Sequence, residues 1–175
     1  MAYQHKREPL SYEEMDKLAN ATTNLQEKLV IFTLLDTGIR VSELAELERQ
    51  NIHWQARRLV IFGKGGIYGK KSKRRVVPMT ERVRLVLEHH FSFEDSLGIT
   101  ARTIQNLVKR VANRAGIIKP VSPHVLRHTF GITCHQKGVP SKAVQILMGH
   151  EYLSTTEIYF NMSPEDAIRN FESKW

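Results

Sequence analysis

Two arginines, a lysine, two histidines and a tyrosine occur in this chain in an order suited to handling a phosphate ester. Arg40 follows a helix-ending glycine in TGIRVSEL, where a loop could aim its guanidinium into a cleft. Lys64 sits in FGKGG. His124 and Arg127 are three residues apart on an expected helix and so share one face. His150 follows Gly149, and Tyr159 comes nine residues later. A guanidinium fork grips phosphate oxygens through two parallel hydrogen bonds, and fixed cations stabilise charge that develops on non-bridging oxygens. Gathered around a tyrosine hydroxyl, these groups would suit phosphoryl transfer. Each is ordinary alone: a single Arg or Lys is usually solvated, and a histidine at a helix start is more often a cap than a catalyst. The ordered set carries the reading.

Elements of helical period must position these groups. Ser11 and Glu14 have the spacing of a capping box, opening a helix from Tyr12 to about Asn20. Leu25, Leu29, Phe32 and Leu35 carry a second helix to Thr37, with Gly38 just past its end. Ser42 is expected to cap a short third helix through Leu47. Val60-Ile61-Phe62 and Val76-Val77-Pro78 then read as strands around GKGGIYGKKSK, giving a hairpin or three-stranded sheet with a long glycine-rich tip. Trp54, near the first turn, is expected to pack on that sheet. Helices follow over 80–90 and over 100–115, the latter with Ile104, Leu107, Val108 and Val111 on one face and Gly116 at its end. Ser122-Pro123 starts another that Gly138 stops; 141–148 and 154–161 are short; Ser163-Pro164 opens a last helix toward Trp175. The expectation is a mainly α fold with a small antiparallel sheet, one domain over 1–175 with a tail helix over 163–175.

Charge is concentrated. Residues 51–84 hold ten Lys/Arg against one acid, Glu81, a local +9 in a chain of formal net charge +8, so the rest nets about −1. Such a patch favours a polyanion, most commonly a phosphate backbone. Arg57, Arg58, Lys70, Lys71, Lys73, Arg74 and Arg75 are the candidate DNA contacts. A hydrophobic content of 41% supports a packed core and excludes a disordered tail protein. No apolar run approaches the roughly 20 residues of a membrane span, and MAYQHKREPL is too polar for a signal peptide. The single cysteine, Cys134, excludes an internal disulfide or a Cys-based cluster and points to a reducing, intracellular compartment; it is expected to be buried and inert.

The ordered set resembles the catalytic domain of tyrosine recombinases, the phage-integrase family of site-specific DNA recombinases. TGIRVSEL resembles the family's first arginine motif, with its arginine on Arg40 and its acidic neighbour on Glu43. The lysine of a G-K-G pattern ahead of a V-P-L-like strand falls on Lys64, with VVPM at the strand end. HVLRHTF matches His-x-x-Arg followed by His-Thr, giving His124 and Arg127. LMGHEYLSTTEIYFNM matches the last block and gives His150 and the nucleophile Tyr159. The likeness spans residues 8–162. Two departures stand out. The hairpin is longer than the family's G-K-G-x-K-x-R, so Lys70, Lys71 and Lys73 remain alternatives to Lys64. The family's N-terminal DNA-clamping domain is missing from these residues, so the expectation is an excised or minimal catalytic domain.

The resemblance implies a tyrosine-recombinase catalytic fold and a transesterification. Tyr159 attacks a phosphodiester and leaves a 3′-phosphotyrosine; Arg40 and Arg127 clamp the non-bridging oxygens; Lys64 acts as general acid; His124 and His150 assist; Glu43 orients its neighbours. Tyr152 and Tyr68 are the alternative nucleophiles. The cations are side chains, so no cofactor and no metal are expected; His124, His128, Cys134 and His135 offer only a weak zinc pattern. The partner is double-stranded DNA with a specific recombination site, engaged by a homotetramer, with a monomer in isolation. Ala167, Ile168, Phe171 and Trp175 on the tail would pack on their own domain or, as in related enzymes, dock on a neighbouring protomer. Other readings are a type IB topoisomerase-like enzyme and a DNA-binding module without catalysis.

Overall fold

The computed structural model describes residues 8–63, 74–149 and 164–175. The element order is α1 (Tyr12–Asn20), α2 (Leu25–Thr37), α3 (Val41–Ala45), a 3-10 turn (Arg49–Asn51), β1 (Ile52–His53), β2 (Arg58–Phe62), β3 (Arg74–Pro78), α4 (Glu81–Phe91), α5 (Ala101–Arg114), α6 (Pro123–Gln136), α7 (Ser141–Met148) and α8 (Pro164–Glu172). The expected mainly α architecture with one small antiparallel sheet is what the chain adopts. Lys64, Tyr68, Lys70, Lys71, Lys73, His150, Tyr152, Tyr159 and the helix expected over 154–161 lie outside the described residues.

Local chemistry accounts for the helix ends. Ser11 Oγ accepts from the Glu14 amide and Glu14 Oε2 accepts from the Ser11 amide, closing the capping box of α1. Asn24 caps α2, and Ser122 caps α6 ahead of Pro123. α3 corrects the sequence expectation. It begins at Val41, so Ser42 lies inside it and Arg40 is the N-cap. The carboxylate of Glu43 takes the capping role from below by accepting the Arg40 amide at 2.7 Å.

α2 is apolar nearly all round and is the central helix, packed against α4, α5 and α6. The sheet runs in the order β1-β2-β3, antiparallel throughout, with Leu59 opposite Val77 and Ile61 opposite Arg75. Its inner face, with Trp54 beside it, joins the large core formed by α1–α5 and the first half of α6. A second apolar cluster joins the far half of α6 to α7 and α8 through Phe130, Cys134, Leu147, Ala167, Ile168 and Phe171. Burial pushes the Cys134 thiol up to about 12, so it stays an inert thiol. In the single chain α8 packs on its own α7 and β3. Trp175 stacks on Phe171 with centroids 4.6 Å apart, and Lys137 Nζ sits 4.0 Å from the Trp175 ring centre. Among the described residues no helix is long and apolar enough to cross a membrane.

Candidate active site

The site forms where α7 ends. The last carbonyls of a helix lack intrahelical partners and carry the negative end of its dipole. Here three arginines from three elements donate to three successive carbonyls. Arg75 Nε on β3 reaches Leu147 O at 2.8 Å, Arg127 Nη2 on α6 reaches Met148 O at 2.6 Å, and Arg40 Nη2 at the start of α3 reaches Gly149 O at 3.3 Å. Arg127 Nη1 also donates to Gly38 O, at the end of α2.

Two glycines make this convergence possible. Gly38 and Gly149 both have left-handed backbone, with φ of +62° and +66°. A Cβ on Gly38 would fall 2.3 Å from Phe130 Cδ1, and one on Gly149 would fall 3.0 Å from Arg75 Cδ. Both positions need the missing side chain for space as well as for φ.

Glu43 binds the cluster together. It is 6% exposed and accepts a two-pronged pair from Arg75, Nη1 to Oε1 and Nη2 to Oε2, both at 2.7 Å. Arg40 adds its amide at 2.7 Å and Nη1 at 3.0 Å. Burial alone would push the Glu43 carboxyl up, but the hydrogen bonds and charge of Arg75 and the bonds from Arg40 hold it down at about 2. Burial, with repulsion from Arg40 and Arg75, lowers Arg127 to about 10, so it remains a cation at neutral pH. Among the described residues, three guanidinium groups against one carboxylate leave the cluster with two excess positive charges. The Arg40 side chain is 43% exposed, whereas Arg75 is 10% exposed, so Arg40 is the approachable member. His124 lies in the first turn of α6, exposed, one turn before Arg127. The cluster is a fixed group of positive charge at the end of α7, just before His150 in the sequence.

Arg75 corrects one sequence expectation. The charge pattern places it among the surface DNA contacts, yet its guanidinium points inward and donates through all three nitrogens, to both oxygens of Glu43 and to Leu147 O. The signal was there in the strand: Arg75 is two residues from the buried Val77, and alternation puts both on the inner face. The charge count over 51–84 also overstated the free positive surface. Arg57 pairs with Glu81, Arg82 with Asp36, and Arg84 with Glu81 and Glu88. Among the described residues no carboxylate pairs with Arg58 or Arg74; Arg74 is exposed and Arg58 half-buried. The fold adds a second basic face that the charge count over 51–84 does not include: α5 contains no acid and exposes Arg102, Gln105, Asn106 and Lys109. The zinc pattern is split, with Cys134 buried in the second cluster and His128 and His135 exposed.

Residues 8–166 match the phage integrase family, and the match includes every described residue of the arginine cluster. The chain belongs to that family. Among curated members, tyrosine recombinase XerA of Pyrococcus horikoshii is 29% identical over 164 residues, covering 86% of this chain and 55% of the relative. Tyrosine recombinase XerD of Shewanella oneidensis is 32% identical over 181 residues, covering 91% of this chain and 58% of the relative. This phage integrase family member thus spans between half and two thirds of the length of these relatives. A crystal structure of XerA recombinase superposes with a TM-score of 0.75 at 27% identity, over 94% of this chain and 64% of the other. The integrase of mycobacterium phage Brujita shares the fold with a TM-score of 0.79 at 22% identity, over 99% of this chain and 60% of the other.

Proposed function

We propose that this chain is the strand-transfer domain of a site-specific DNA recombinase. The observation that carries the reading is the convergence of Arg40, Arg75 and Arg127 on the carbonyls of residues 147–149, with Glu43 leaving two positive charges uncompensated. Tyr159 Oη gives up its proton to one of the two histidines, His124 or His150, and attacks the phosphorus of a phosphodiester. The new Oη–P bond forms as the bond to the 5′-oxygen breaks, and Lys64 protonates that leaving oxygen. Lys70, Lys71 and Lys73 are the alternatives for this role. The 3′-phosphotyrosine keeps the ester bond, so a 5′-hydroxyl from another strand reverses the step without an external energy source. Arg40 and Arg127 hold the non-bridging oxygens, each such donor contributing about 10²–10³ in rate. His124 and His150 supply proton transfer and hydrogen bonds, which are worth about 10²–10⁴ together with the lysine.

The substrate is double-stranded DNA carrying a recombination site, inside the cell. Relatives in fold support this: XerH recombinase has been solved bound to its difH substrate, and the Tn1549 integrase in complex with circular-intermediate DNA. Arg57, Arg58, Lys70, Lys71, Lys73 and Arg74 contact the duplex, joined by Arg102 and Lys109 on α5. Four protomers act across two duplexes.

Nicked duplexes randomised in sequence around the nick test the reading, because the cut strand end diffuses away and traps the intermediate. Wild type is expected to give a covalent protein–DNA adduct on a denaturing gel, Tyr159→Phe none, and EDTA no effect. An adduct that survives Tyr159→Phe would move the nucleophile to Tyr152 or elsewhere, and one lost in EDTA would contradict catalysis by side-chain cations.

A further inference from the structure

We propose that Arg75 is a positioning residue for phosphate capture: by occupying both oxygens of Glu43 it keeps that carboxylate from drawing in Arg40, and so leaves Arg40 turned toward the reacting phosphate. The inference rests on the strand-transfer reading for the identity of the phosphate.

The geometry sets the two arginines apart. Arg75 makes a fork-to-fork pair with Glu43, both contacts at 2.7 Å, and is anchored a third time by Leu147 O at 2.8 Å. Arg40 touches the same carboxylate with one Nη at 3.0 Å and the Gly149 carbonyl at 3.3 Å. A guanidinium has five N–H donors, so Arg40 keeps most of its donors for a ligand, on a side chain that is 43% exposed. A buried carboxylate deprived of its main partner recruits whatever cation is near, since an uncompensated buried charge is strongly unfavourable. Without Arg75 the cation within reach is Arg40. The bidentate grip would pass to Arg40 and pull its fork away from the phosphate, while the loss of Arg75 itself lowers the surplus from two positive charges to one. Arg75 also ties the start of β3 to the end of α7.

The groups facing Glu43 determine a pH signature. Arg75 on β3, Arg40 at the start of α3 and Arg127 on α6 favour the ionised form, while Glu46 and Glu48 line a cleft of about 400 Å³ beside it. In Arg75→Met the carboxyl loses its strongest partner, so burial moves it upward from its wild-type position and it takes up a proton more readily as pH falls, with Arg40 and Arg127 still opposing. Protonated Glu43 releases Arg40.

The test uses the full chain and the randomised nicked duplexes. At pH 7.5, Arg75→Met is expected to lower adduct formation about 10²-fold, the scale of a misplaced reacting group, with DNA binding nearly unchanged. The ratio of variant to wild-type rate should rise as pH falls from 7.5 to 5. The double variant Arg75→Met/Glu43→Gln should recover about tenfold of the loss, equivalent to about 1.4 kcal/mol of barrier, and show a pH-independent ratio. A role in stability alone would move neither the pH ratio nor the double-variant rescue. If Arg75→Met does not fold by circular dichroism, Arg75→Lys with and without Glu43→Gln makes the same comparison, the lysine keeping the charge without the fork. A flat pH ratio, or a double variant no faster than the single, overturns the proposal. No adduct from wild type would instead sink the strand-transfer reading. Arg75 is then judged by titrating inorganic phosphate against the Arg40 Nε–H resonance. That resonance should shift in wild type and in the double variant but not in Arg75→Met, and equal shifts in all three would overturn the proposal.

Discussion

Glu27 on α2 and Glu43 on α3 are both almost wholly buried, and both have carboxyls held at about 2 beside two arginines. At Glu27 the hydrogen bonds of Arg114, set against burial and helped by the Thr23 amide and hydroxyl, lower the carboxyl; Arg110 reaches it at 3.4 Å. Arg114 also donates to Ala21 O, so the group fastens the α1–α2 loop to α5. At Glu43 a third arginine is added: Arg127, buried, with two backbone carbonyls as its partners and, among the described residues, no carboxylate of its own. An arginine-carboxylate cluster is therefore a staple in one place and, on the function proposed above, a phosphate site in another. What separates them is the surplus of fixed positive charge and its placement at a helix C-terminus that leads to further reactive groups.

The sharpest way to break this comparison is to remove the surplus cation. Arg127→Gln is expected to lower adduct formation by about 10²–10³, the cost of one oxyanion donor. The matched change Arg114→Gln should leave the rate per folded molecule unaltered; an equal catalytic loss at Arg114 would erase the distinction. Next comes stability. Glu27→Gln should cost roughly 1–3 kcal/mol in urea unfolding, because charge-assisted bonds are lost and buried donors are left poorly paired. Adduct formation by the folded fraction should stay at the wild-type level.

Acid titration sharpens the likeness between the two carboxylates. Both have folded values below the ordinary 4.5, so each contributes stability that is full above 4.5 and is lost as pH falls toward about 2. Wild-type stability should decline across that window, and Glu27→Gln should flatten the decline. A slope unchanged by the substitution would show that Glu27 is not held down in the folded state. The smallest effect is expected far from both clusters: Lys137→Ala removes the cation over Trp175 and should cost about 0.5–1 kcal/mol, with cleavage unaffected.

Much of this was legible in the chain, and the exceptions have physical causes. Gly38, the Ser11–Glu14 box and Ser122-Pro123 are local signals whose partners lie within a turn, so α1, α2 and α6 followed directly. Ser42 misled because the actual cap of α3 comes from a side chain three residues ahead, Glu43, whose orientation depends on Arg75, 32 positions away. Arg40, Glu43 and Arg127 were marked by motif, and the fold brings them together. Arg75 was treated as one member of a charge count, although its place in the strand alternation with Val77 assigned it to the inner face. Pairings such as Arg82 with Asp36, 46 residues apart, are tertiary, and no local pattern announces them.

The proposed chemistry turns on which atom becomes bonded to DNA and at which strand end. The direct measurement is mass spectrometry of the peptide recovered from the trapped protein–DNA adduct after protease and nuclease digestion. The expected result is one modified peptide, carrying a 3′-nucleotide through phosphate on Tyr159, with a 5′-hydroxyl on the released strand. A nucleotide attached through its 5′-phosphate, or on a residue other than Tyr159, would contradict it.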